Sequence, residues 1–190
     1  GFFASCEVIR NPSLYGKPVI IGSDPKGGEG RGVVSTASYE AREFGVRSGM
    51  AISKAYRACP DGIYIRPDIK YYKEVSNKIF SSISEFGDSF QQVSIDEAYI
   101  DVTNKITSKI SPKIWAAYLK KKVYSVSGIT CSVGIAPNKS IAKIASDFEK
   151  PNGLTEVKPD KVKEFLSTRS IRKISGVGSS SQIKVNNLGI

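Results

Sequence analysis

Ten residues set the terms for the rest of the chain: Val93-Ser94-Ile95-Asp96-Glu97-Ala98-Tyr99-Ile100-Asp101-Val102. Val93, Ile95, Tyr99 and Val102 are β-formers, and two adjacent carboxylates interrupt them. Neighbouring strand residues point to opposite faces, so Asp96 and Glu97 can meet one ligand only where a strand ends or bends. With no Asn-Gly dipeptide present, the stretch predicts acids that cap a strand or occupy a very tight hairpin. Acids beside β-branched neighbours are costly to desolvate unless a cation or donor compensates them. A solvated strand end is the plainer alternative, because most charged pairs lie at the surface.

Composition narrows the chemistry. The 190 residues suffice for one large domain or two small ones with real cores. There is no histidine, so zinc sites and Ser-His-Asp or Cys-His machinery have nothing to draw on. Cys6, Cys59 and Cys131 form no CxxC or Cys/His cluster and read as buried free thiols of a reducing cytoplasm. Twenty-eight Lys and Arg against eighteen Asp and Glu give a net charge of +10, which favours a polyanionic partner, nucleic acid before anionic membrane. No run approaches the roughly 18 apolar residues of a bilayer span, and the first residues lack a basic region followed by an apolar core.

Taken in order, Gly1 to Glu7 reads as a helix start and 17–22 as a short buried strand. The glycine-rich 23–32 lacks Walker spacing and reads as a hairpin loop. Strand 33–38 leads into a short helix, 39–44, stopped at Gly45. There Thr36, Tyr39 and Arg42 recur at three-residue spacing: a hydroxyl, a phenol and a guanidinium that suit a phosphate chain, or else a solvated face. A helix over 48–59, a strand at 63–65 and a long helix over 68–86 follow, the last with Tyr72, Val75, Ile79, Ile83 and Phe86 as its core stripe. Beyond the organising strand, a helix at 111–127 carries Ile114, Ala117, Tyr118, Lys121 and Val123. Then come strand 129–135, an Asn138 turn, helix 141–150 and strand 154–157. From residue 68 the pattern is an α+β sheet covered by helices on one face. The tail holds a short basic helix, 158–170, and a Gly176-Val177-Gly178 turn before a polar helix. Glycine amides at such a helix start bind a DNA backbone phosphate without reading sequence.

Five segments then come together in order: GFFASCE, GVVSTASYEAREFGVRSGM, VSIDEAYIDVT, CSVGIAPNKSIAKIASDFEKPNG and ISGVG. On these the chain resembles the Y-family translesion DNA polymerases of the DNA polymerase IV-like branch over nearly its whole length. The resemblance implies an α+β right-hand fold with a ferredoxin-like palm, small fingers and a helical thumb with a helix-hairpin-helix. Its expected segments are fingers at 1–67 (with the remainder of an N-terminal palm segment at its start), palm at 68–157 and the start of the thumb at 158–190.

It also implies roles. Asp96 and Glu97 match the catalytic SxDEA acids that hold two Mg²⁺ ions, with Mn²⁺ as a substitute, a hard-oxygen site suited to a chain without histidine. Tyr39, Arg42 and Lys143 match triphosphate-binding residues, with Thr36 as companion and Phe2 contributing backbone contacts. Phe3 matches the steric gate against a ribose 2′-hydroxyl. Ser35 and Gly49 would lie over the nascent base pair, and Gly176 and Gly178 on the DNA backbone, although Ser175 stands where the family more often has proline. The implied partners are primer–template DNA, a deoxynucleoside triphosphate and, through C-terminal residues outside this sequence, a sliding clamp; the implied compartment is the cytoplasm, at the nucleoid. The family's first metal aspartate precedes the GFFA segment, and its little-finger domain follows the thumb. The expectation is therefore an active parent protein whose 190-residue piece is inactive or nearly so alone. Two other readings stay open: a non-catalytic DNA-binding scaffold of the same fold, and a palm-type nucleotide cyclase.

Overall fold

The computed structural model describes residues 1–174 and 177–189, which divide into two compact units. The first comprises Gly1–Phe80 with Val93–Glu97, the second Ser81–Gln92 with Ala98–Ile190.

The first unit is built on the Val19-Ile20-Ile21-Gly22 run. All four residues of this strand, β1 (Val19–Gly22), are buried, as expected of a central strand covered on both faces. β1 pairs antiparallel with β2 (Val34–Ala37), Ile20 opposite Ala37 and Ile21 opposite Thr36, with a register shift after Ile21. On its other edge it pairs parallel with β3 (Ile63–Ile65), giving the order β2-β1-β3. Residues 23–33 are thus a hairpin loop, one residue longer than the 23–32 read from the sequence, with Val33 outside the strand. Around the sheet lie α1 (Phe2–Arg10), α2 (Tyr39–Glu43), α3 (Ile52–Ala58) and the first three turns of α4 (Ile69–Ile83). Ile20, Val34, Ala37, Ala41, Val46, Ile52, Ala55 and Cys59 form one apolar cluster, and each large aliphatic side chain in it contributes roughly 1.5–3 kcal/mol. The Ser38 hydroxyl starts α2: it accepts the Ala41 N–H at 3.3 Å and the Val19 N–H at 3.0 Å and donates to the Lys17 carbonyl at 3.3 Å. One buried hydroxyl therefore satisfies three backbone groups, all that its chemistry allows.

In the second unit β4 (Ser89–Gln92) and β5 (Ala98–Asp101) form an antiparallel hairpin, Gln92 opposite Ala98. Helix α5 (Pro112–Ser127) begins at a Ser111 cap with proline in its first turn and ends at Gly128 in the left-handed region. Its buried face is Ala116, Leu119 and Val123, whereas Ile114, Ala117, Tyr118 and Lys121 face solvent. β6 (Val133–Ile135) runs parallel to β7 (Leu154–Glu156), with α6 (Lys139–Ser146) between them in sequence. β6 is shorter than the 129–135 strand expected, because Ser132 meets the Gly153 N–H through its hydroxyl, at 3.1 Å, instead of a backbone ladder. The strands read as one sheet from residue 68 accordingly lie, among the described residues, in two separate pairs. The basic helix expected at 158–170 is broken into a 3₁₀ turn and α7 (Val162–Ser167); α8 (Ser179–Asn186) is the expected polar helix.

Candidate functional site

The two acids sit at the tip of the β4–β5 hairpin, the tighter of the two placements the sequence allows. The Val93 and Ser94 N–H groups both donate to the Glu97 carbonyl, at 2.9 and 3.2 Å, and close the loop. Inside it the Ser94 hydroxyl donates to Asp96 Oδ1 at 3.0 Å and accepts the Asp96 N–H at 3.3 Å. Asp96 is exposed and Glu97 half-buried. Asp96 faces α1 closely enough that its charge helps hold the Cys6 thiol up at about 12, after burial and the charge of Glu7. Two hard-oxygen carboxylates at one bend fit a hard divalent cation. No third Asp, Glu, His or Cys joins them in a metal-holding group among the described residues.

The same unit holds three of the phosphate-binding candidates, Thr36, Tyr39 and Arg42. Thr36 lies near the end of β2, and Tyr39 and Arg42 on α2. Arg42 Nε donates to the Ala37 carbonyl at 3.1 Å, and its guanidinium carbon stands 5.1 Å above the Tyr39 ring. Gly1, the N-cap of α1, packs against the Thr36 hydroxyl, and a β-carbon there would lie 3.3 Å from an Arg42 guanidinium nitrogen. A helix N-terminus, a hydroxyl and a guanidinium thus converge, and each stabilises an anion. Ser35 is exposed on β2, and Gly49 donates its N–H to the adjacent Val34 carbonyl at 2.8 Å, so both small residues flank Val34.

Phe2 and Phe3 open α1 with their rings tilted 6.1 Å apart. Phe3 stacks on Tyr72 of α4 at 4.4 Å between centroids and 16° between planes. Tyr72 is fully buried; its hydroxyl donates to Glu7 at 2.7 Å, and burial, then this bond, raises its pKa. Sequence reasoning treated Tyr72 as core and passed over Glu7; the signal was a carboxylate four residues after Phe3, on the same face of α1.

Lys143 and Gly178 belong to the second unit and line one open depression of about 390 Å³ there, with Asp147, Arg172, Lys173, Ile174 and Val177. Lys143 pairs with Asp147 at 3.9 Å, and Gly178 is the N-cap of α8. Gly176 lies outside the described residues.

Compared with solved structures, the chain matches the crystal structure of DinB from Sulfolobus solfataricus at TM-score 0.90 and 39% identity, covering 100% of this chain and 55% of that one. An insertion ternary complex of Dbh DNA polymerase matches at TM-score 0.91 and 39% identity, with the same coverage. The α+β architecture is therefore that of Y-family polymerase structures. DNA polymerase IV of Methanoculleus marisnigri is 51% identical over 189 residues, and DNA polymerase IV 2 of Methanosarcina mazei 47%; the match takes in all of this chain and 52% and 51% of theirs. The chain spans about half the length of these curated relatives. It belongs to the impB/mucB/samB family, whose description matches residues 1–147.

Proposed function

We propose that the protein containing this chain is a template-directed DNA polymerase of the damage-bypass type, which extends a primer 3′ end with deoxynucleotides. The observation that carries this reading is the convergence of the α1 N-terminus, Thr36 and Arg42, in the unit that also holds Asp96 and Glu97. Asp96 and Glu97 would hold two Mg²⁺ ions, or Mn²⁺ in their place, and these would supply Lewis acidity at the primer hydroxyl and neutralise the charge of the triphosphate. Arg42, the Tyr39 hydroxyl, Thr36, the Phe2 backbone and Lys143 hold the triphosphate. Phe3 occupies the space a ribose 2′-hydroxyl would need, so deoxynucleotides are selected. Ser35 and Gly49 leave room over the nascent base pair for a damaged template. Gly178 and Gly176 offer backbone amides to a DNA phosphate.

Residues 1–67 serve as fingers, 68–157 as palm and 158–190 as the start of the thumb. Support for nucleic acid comes from the net charge of +10 and from relatives named as DNA polymerases. No helix among the described residues is long and apolar enough to cross a membrane; cytoplasmic work at the nucleoid, and a sliding clamp as partner, complete the proposal. The test is Mg²⁺-dependent primer extension by the protein with its native flanking sequence, beside the Asp96→Ala, Glu97→Ala double variant. Short, metal-dependent extension lost in the double variant is expected. Tight DNA binding without extension in either protein would replace the enzyme with a DNA-binding scaffold.

A further inference from the structure

Glu7 is a buried carboxylate that none of the roles above employs. Its surroundings form a chain of contacts between α1 and the first turns of α4. Tyr72 donates its hydroxyl to Glu7 at 2.7 Å, and Arg10 stands 3.6 Å from the same carboxylate oxygen. Arg10 also binds Asp68 at 3.0 Å and lies 4.4 Å above the Tyr71 ring, while the Tyr71 hydroxyl donates to the Cys6 carbonyl at 3.3 Å. At the other end of this chain the Tyr72 ring is stacked on Phe3. The phenol is held at its hydroxyl and presents its face to Phe3, so the two restraints fix the plane on which the Phe3 ring rests.

We propose that Glu7 and Tyr72 are positioning residues for sugar selection: the Tyr72–Glu7 hydrogen bond holds the Phe3 ring where it excludes a 2′-hydroxyl. The proposal rests on Phe3 being the gate. A gate that discriminates one oxygen atom works on the scale of an ångström, and misplacements of that size change rates by one to two powers of ten. Core packing alone needs only the Tyr72 ring, not its hydroxyl, so the hydroxyl separates the two roles.

The experiment measures kcat/KM for a deoxynucleotide and for the matching ribonucleotide in primer extension by the full-length protein. Five proteins are compared: unmodified, Phe3→Ala, Tyr72→Phe, the Phe3→Ala, Tyr72→Phe double variant, and Glu7→Gln. Tyr72→Phe is expected to lower discrimination about tenfold through better ribonucleotide use, with deoxynucleotide kcat/KM changed less than about threefold. In the Phe3→Ala background it is expected to add nothing, because both changes act through one ring. Glu7→Gln, which keeps an oxygen acceptor for the Tyr72 hydroxyl, is expected to retain discrimination. Unchanged discrimination in Tyr72→Phe overturns the proposal, as does a loss that persists undiminished without Phe3. If Phe3→Ala leaves discrimination intact the gate reading falls and takes this one with it; if the unmodified protein extends nothing, the polymerase reading has failed first.

Discussion

Gly134, in the middle of β6, faces the backbone of α6. A β-carbon there would lie 3.0 Å from the Ala145 carbonyl carbon, and nearer still to the Ala142 carbonyl oxygen and the Ser146 amide nitrogen. All three are main-chain atoms, which cannot swing aside as the end of a lysine would. Gly134→Ala must therefore push α6 off β6, loosening the burial of Ile141, Ile144 and Ala145. Overpacking costs about 1–3 kcal/mol, and with backbone as the obstacle the upper end, about 3 kcal/mol, is expected. That corresponds to a fall in midpoint on the order of 10 °C. Gly45→Ala is the control. Gly45 has φ +84° and open space around the missing methyl, so the variant carries only the conformational penalty of about 1 kcal/mol. Thermal and urea unfolding followed by circular dichroism would compare the two. If Gly134→Ala is no more destabilising than Gly45→Ala, close β6–α6 packing is not what the glycine serves. Lys143, one of the proposed triphosphate ligands, rides on the same helix.

Asn138 caps α6 by accepting the Ile141 N–H at 3.0 Å; Asn138→Ala should cost about 1 kcal/mol in urea unfolding, and no change would remove the cap from the account. Two carboxylates contribute to the acid limb of stability. Asp101 is held below its ordinary range by the Thr103 hydroxyl and then the Thr103 N–H, and Asp68 by the Tyr71 N–H and then Arg10. A carboxylate with a depressed folded-state pKa gives stability that is complete above its unfolded value, about 3.9, and lost as pH falls through the folded one. Stability should thus drop below about pH 4, and Asp68→Asn or Asp101→Asn should flatten that drop; an unaltered slope would contradict the assignment. With its pKa pushed up to about 12, chiefly by burial, Cys6 should resist alkylation at pH 8 in the folded protein and react once it is denatured. Rapid labelling of the native protein would show that α1 opens.

Much of this was legible in the sequence because the signals were local. Val19-Ile20-Ile21 is a continuous apolar run and became the central strand; the spacing of Tyr72, Ile79 and Ile83 became a buried stripe. The interrupted β pattern at Asp96-Glu97 foretold a bend, because two adjacent acids cannot both stay on one face of a straight strand. What escaped was non-local. Which face of α5 is buried depends on what covers it, and lysines and tyrosines on both sides blur its periodicity. Strand 129–135 looked complete until Ser132 found a side-chain route to Gly153. The partnership of Glu7 with Tyr72 joins residues 65 apart, a distance no pattern in the sequence spans.

The Ser38 hydroxyl has a bearing on the order of events in synthesis. It ties residue 38 to Val19, closing a loop of 19 residues, whereas the β1–β3 pairing of Val19 with Ile63 closes one more than twice as long. The shorter closure is cheaper by on the order of 0.7 kcal/mol, and it needs nothing beyond α2. A chain emerging from the ribosome can therefore complete this staple and the β1–β2 hairpin while Ile63 is still in the exit tunnel. Thr36, Tyr39 and Arg42 would take up their spacing cotranslationally, before the third strand of their own sheet is free to pair.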